Sequence, residues 1–168
     1  MRIGRSTLAV AGALAIGAGS AVAQSSGAAT EPMGRWTAAF KPSLASSPSV
    51  RGSGTIRASG TVAISKAEIG REGVFKVDIR FALPNAAKSG TFFWGVVPGR
   101  CGSGGIPVTG PSQNPTLELG ANGTAEISAE VALNLKPAEG YHINIYDAGV
   151  GDRDEAVISC SELKYNAR

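Results

Sequence analysis

The chain has 168 residues, of which 16 are Lys or Arg, 13 are Asp or Glu and one is His, for a formal charge of +3 at neutral pH. Arg2 and Arg5 stand at the very start, and without them the balance is 14 basic to 13 acidic. The remainder therefore has no basic excess to engage nucleic acid or an anionic membrane surface.

The first segment, MRIGRSTLAVAGALAIGAGSAVAQ, joins a basic start to an apolar run from Leu8 to about Ala18 and the small-x-small triplet Ala21-Val22-Ala23. That pattern predicts a secretory signal peptide over residues 1–23, with Gln24 the first mature residue. The run is too short and too rich in Ala and Gly for a membrane anchor. The expected compartment is periplasmic or extracellular. Residues 24–33, QSSGAATEPM, are small and polar, as in a flexible mature N-terminus. Residues 34–168 have the size of one domain with a core of its own.

From Arg35 onward strand signals recur, bounded by Gly, Pro, Asn and Ser. The candidates are Trp36–Lys41, Gly54–Ser65 (with a break at Ser59-Gly60), Val74–Leu83, Gly90–Val97, Thr116–Leu119, Ala125–Leu133, Tyr141–Tyr146 and Ala156–Cys160. In VFKVDIRFAL, Phe75, Val77, Ile79 and Phe81 alternate with Lys76, Asp78 and Arg80, the period of a strand with one buried face. The segment AEISAEVAL repeats the pattern. Asn122-Gly123 between two candidates is a hairpin signal, and the glycosylation sequon that it opens with Thr124 needs no modification to explain it. KPAEG (136–140) holds a single helical turn at most. The expected fold is all-β, a Greek-key barrel or sandwich of seven to eight antiparallel strands.

Cys101 and Cys160 are the only cysteines. In an exported chain an even pair predicts a disulfide. Closing a loop of about sixty residues contributes roughly 4 kcal/mol in the chain-entropy account. Around Cys101 the run GRCGSGG lacks the GK[ST] ending and the following helix of a phosphate loop. Its glycines are read as letting the loop fold tightly over the sheet so that the bridge can close. The segment DAGVGDRDE, Asp147 to Glu155, carries four carboxylates, but its spacing does not match the calcium loop and Arg153 lies among them. A solvated loop is expected there.

Two segments resemble one known family. Phe93 to Ser103, FWGVVPGRCGS, is similar to the strand and loop around the first cysteine of exported copper/zinc superoxide dismutase-like domains. Tyr141 to Leu163, YHINIYDAGVGDRDEAVISCSEL, is similar to their later strand, loop and second-cysteine strand, and chordin-type domains have a comparable late strand. The likeness covers about half of the mature chain and implies the family's Greek-key barrel and internal disulfide. It also implies that the metal site is missing. With Cys101 on the family's cysteine, Gly95 and Val97 take the places of two copper-binding histidines, Tyr146 takes the third, and Val157 replaces the arginine that guides superoxide. Arg100 to Pro115 has no His, Asp or Glu for the zinc loop. One histidine in the whole chain cannot supply such a ligand set under any alignment, so neither metal nor other cofactor is expected.

With Trp94 and Val96 turned to the core, Phe93, Gly95 and Val97 face outward, and His142, Asn144 and Tyr146 oppose Tyr141, Ile143 and Ile145. The functional reading is a polar–aromatic binding patch of His142, Asn144 and Tyr146 floored by Gly95. The structural reading is a wet strand face whose tyrosine lies across the hollow left by Gly95. Trp36 and Trp94 are expected as core anchors. The expected role is non-catalytic: a binding or structural module meeting another protein or a cell-envelope component through loops or an exposed strand edge. The alternative is a metal-binding protein or remote superoxide dismutase-like enzyme drawing on His142, Tyr146, Asp147, Asp152 and Asp154. A third reading, a hydrolase, would need Ser159 or Ser161 as nucleophile with His142 as base.

Overall fold

The computed structural model describes residues 34–41, 58–67, 71–84, 90–149 and 157–167. The expected signal peptide, the 24–33 segment, the first residues of the second strand candidate (54–57) and the acidic loop from 150 to 155 lie outside the described residues. Everything described belongs to one compact unit, Glu31–Arg168.

Eight strands carry the chain: β1 (Arg35–Phe40), β2 (Ser59–Lys66), β3 (Val74–Ala82), β4 (Gly90–Pro98), β5 (Leu117–Leu119), β6 (Thr124–Ala132), β7 (Tyr141–Asp147) and β8 (Val157–Asn166). The ladders among the described residues are all antiparallel, and the strand order is β5-β4-β7-β8-β1-β2-β3-β6. β5 also touches β6 across the Gly120–Thr124 turn, which almost closes the sheet into a barrel. Strands β4, β5 and β6 follow one another, and β7 returns beside β4; this is Greek-key connectivity.

Alternation selects the core. Phe75, Val77, Ile79 and Phe81 are buried while Lys76 and Arg80 are exposed. Trp36 and Trp94 are core residues, as expected from their size. The Phe81 ring pairs with both Phe40 and Phe92 in the interior, with centroids 5.8 Å apart in each case, within the range of favourable aromatic pairing. β2 starts at Ser59, and Gly60 stands opposite Phe81 with φ +149. A Cβ at Gly60 would lie 2.0 Å from the Arg80 carbonyl oxygen, so only glycine fits there.

The expected elements are present with shifted ends. β8 continues past Cys160 to Asn166, because Leu163 and Tyr165 keep turning apolar surface inward between exposed Glu162, Lys164 and Asn166. KPAEG is a plain turn closed by the Glu139 N–H and the Lys136 carbonyl. The helical turn among the described residues is instead a short 3₁₀ element at Pro111–Gln113. Asn122-Gly123 forms the β5–β6 turn: Gly123 takes φ +73, and its N–H donates to the Gly120 carbonyl.

β1 and β8 pair only through Arg35–Thr37 and Lys164–Asn166. Beyond Thr37 they part around a cleft of about 580 Å³, and the Ser161 hydroxyl spans the split by donating to the Ala39 carbonyl at 2.8 Å.

Candidate functional site

β7 is buried at all seven positions. Its inward residues Tyr141, Ile143 and Ile145 belong to the core. Its outward residues His142, Asn144 and Tyr146 were expected on a wet face, yet they are 2%, 6% and 1% exposed. The neighbouring strand is covered too, with Gly95 and Val97 buried. The cover is the loop from Gly99 to Thr116, which folds back over the outer face of β4 and β7.

That loop is tied down at several points. The Gly99 N–H donates to the Gly140 carbonyl at 2.9 Å and the Val108 N–H to the Val96 carbonyl at 2.8 Å. Buried Asn114 donates through Nδ2 to the Trp94 carbonyl at 2.9 Å and accepts from the Thr109 hydroxyl at 3.1 Å. The Trp94 indole N–H in turn donates to the Pro115 carbonyl at 2.8 Å. Cys101 and Cys160 form a disulfide with Cα atoms 5.9 Å apart, fixing the loop to β8 directly across from Asn144. Gly99, Gly102, Gly104 and Gly105 all take positive φ, so the reversals at the cysteine need glycine. The tight-loop expectation for GRCGSGG is met in this geometry.

Gly95 has a different neighbour from the one expected. It stands opposite Asn144, and a Cβ placed on it would meet Pro111 Cγ at 3.0 Å and Pro107 Cβ at 3.6 Å. Two proline rings of the loop fill the space over the glycine. Tyr146 pairs instead across from Phe93, and its hydroxyl accepts from Asn144 Nδ2 at 3.2 Å. His142 Nδ1 lies 3.0 Å from the Gly99 carbonyl oxygen. A carbonyl only accepts, so the ring proton in this bond sits on Nδ1. Val97 and Glu162 flank the imidazole on the same face by register. The candidate residues Gly95, His142, Asn144 and Tyr146 are thus brought together, but beneath a lid and within a hydrogen-bonded layer.

The other candidates are scattered. Asp147 is buried, and its Oδ1 accepts from the Gly149 N–H at 2.9 Å in a local turn; Asp152 and Asp154 lie outside the described residues. Ser159 and Ser161 stand across from Ile145 and Ile143 on the inward row of β8, whereas His142 is on the outward row of β7. The histidine and the two serines therefore lie on opposite faces of one sheet, out of reach for nucleophile activation. Among the described residues no three His, Cys, Asp or Glu side chains converge on one point.

Sequence reasoning missed Pro107, Pro111 and Asn114, the residues that seal the face. It also missed a clamp at the foot of β7. The Tyr141 hydroxyl accepts from the Lys136 N–H at 3.1 Å and donates to Glu139 Oε2 at 2.7 Å, while Lys136 Nζ bonds Glu139 Oε1 at 3.0 Å. The hydrogen bond from Tyr141 holds the Glu139 carboxyl below its ordinary range, and Lys136 adds to the effect. The Glu139 hydrogen bond raises Lys136, and burial raises the Tyr141 phenol. Spacing alone contains no signal for this trio.

No family model, no curated protein and no solved structure matches this chain.

Proposed function

We propose that the chain is an exported, non-catalytic binding or structural domain of the superoxide dismutase-like barrel type, in which the metal-binding face has been converted into a packed layer. The observation that carries this reading is the covered face of β4 and β7. Where the resemblance places metal ligands stand Gly95, Val97 and Tyr146; all three are buried, and the loop contributes two prolines over the glycine. Buried, mutually hydrogen-bonded side chains serve packing better than chemistry. The signal-peptide pattern and the disulfide agree with an extracytoplasmic compartment, and no described helix is long and apolar enough to cross a membrane. A domain of this kind meets its partner through loops or an unpaired strand edge.

The test is metal content by mass spectrometry on protein exported natively and purified without chelator or histidine tag. The expected result is far less than one metal per chain and a melting temperature indifferent to chelator. Near-stoichiometric copper, zinc or calcium, with a melting temperature that falls on chelation, would overturn the reading and direct attention to His142, Tyr146 and the Asp147–Glu155 loop.

A further inference from the structure

β6 and β5 are the two ends of the strand order, and they are unequal. β6 has nine residues and β5 three, so β5 can accompany only the first part of its neighbour. The direction of the backbone groups on β6 follows from two bonds. The Thr124 carbonyl accepts from Gly120 on the β5 side, and the Leu133 N–H donates to Gly73 on the β3 side. Alternate residues of a strand direct N–H and C=O to opposite edges. Ala125, Ile127, Ala129 and Val131 therefore serve the ladder to β3, and Glu126, Ser128 and Glu130 aim their N–H and C=O groups at the open edge. No described backbone group outside β6 bonds to those three residues.

Among the described residues, several of the usual protections of an edge are missing. Thr124–Ala132 has no Pro, no Lys and no bulge. The inward row, Ile127, Ala129 and Val131, is only half-buried, which leaves apolar surface for an added strand to cover. The outward row carries Glu126 and Glu130, and β5 adds Glu118; the two strands hold no Lys or Arg. Glu126 and Glu130 touch Arg80 and Arg71, but these pairs are strongly exposed and do little to occupy the carboxylates. A second copy of the chain is a poor occupant. Antiparallel pairing centred on Ser128 would set Glu126 opposite Glu130 of the other copy, and like charges directly opposite destabilise a sheet.

We propose that β6 is a docking edge for an extended segment of a partner protein, one that alternates basic and apolar side chains. Its backbone bonds to Glu126, Ser128 and Glu130; its basic residues stand beside the two glutamates, and its apolar residues cover Ile127, Ala129 and Val131. This rests on the binding-domain reading above and adds to it the edge and the chemistry of the partner.

The experiment is a fluorescence-polarisation titration, at low salt, of the whole mature protein with a labelled synthetic peptide, KVKVKVK, and with EVEVEVE as control. Saturable binding of the basic peptide alone is expected. Ser128→Pro removes an N–H that faces solvent, not the β3 ladder, so the fold is retained while affinity falls by roughly tenfold or more. The double change Glu126→Lys, Glu130→Lys should reverse the preference between the two peptides. Absence of saturable binding would overturn the proposal. So would binding that survives Ser128→Pro, since that is surface attraction without strand addition, and so would a dimer in sedimentation that Ser128→Pro dissociates, since the edge then belongs to a second copy. The two readings fail separately: absent peptide binding leaves the metal measurement untouched, and a metal-loaded protein overturns the non-catalytic domain reading whatever the peptide titration gives.

Discussion

Gly95 shows how one absent methyl group sets the character of the site. Alternation along β4 and β7 was enough to put Gly95, His142, Asn144 and Tyr146 on a common outward face. Whether that face was wet depended on Pro107 and Pro111, which reach Gly95 only through the fold of the loop. A Val at position 95 would push its methyl groups into Pro111 Cγ, already 3.0 Å from an ideal Cβ. Gly95→Val is therefore expected to destabilise by about 1–3 kcal/mol, the usual range for overpacking, read from the urea midpoint. Gly140→Ala makes the control: its added Cβ meets nothing within 4 Å, and a change within about 0.5 kcal/mol is expected.

At the scale of elements, the disulfide and the Gly99–Thr116 loop act together. The cysteine pair was legible, because the signal-peptide pattern predicts export and an even number of cysteines in an exported chain has one leading interpretation. The loop's role as a lid was half legible. Its glycines predicted a tight fold, but Asn114, which binds the Trp94 carbonyl from a loop position, resembles any other turn asparagine until the chain is folded. Replacing Cys101 and Cys160 together by Ser is expected to cost about 2–4 kcal/mol, with the loop-closure account as its basis. Hydrogen exchange should show where the loss falls. The Gly99 and Val108 amides, which tie the loop to Gly140 just before β7 and to Val96 of β4, should accelerate well before the β3–β6 ladder does. Uniform acceleration throughout the barrel would mean that the bridge supports the whole fold and not the lid.

For the whole molecule, the connectivity matters more than any single contact. β1 pairs with β8 at the far end of the chain, and β3 pairs with β6 across the intervening β4 and β5. Such non-local pairing carries loop-closure entropy that must be met before contacts compensate it. Refolding of the oxidised chain, followed by Trp36 and Trp94 fluorescence in stopped flow, is expected in the millisecond-to-second range of about 1–1,000 ms or slower. A microsecond phase carrying the full amplitude would contradict it. By itself the sequence determined the all-β class, the strand positions, the cysteine pair and the absence of a multi-histidine ligand set, because composition, period-two alternation and turn residues are local properties. Only the tertiary structure decided that the polar face of β7 is sealed and that the outer edge of β6 has no partner strand among the described residues. Both follow from which distant segment comes to lie against a strand, and no local pattern records that.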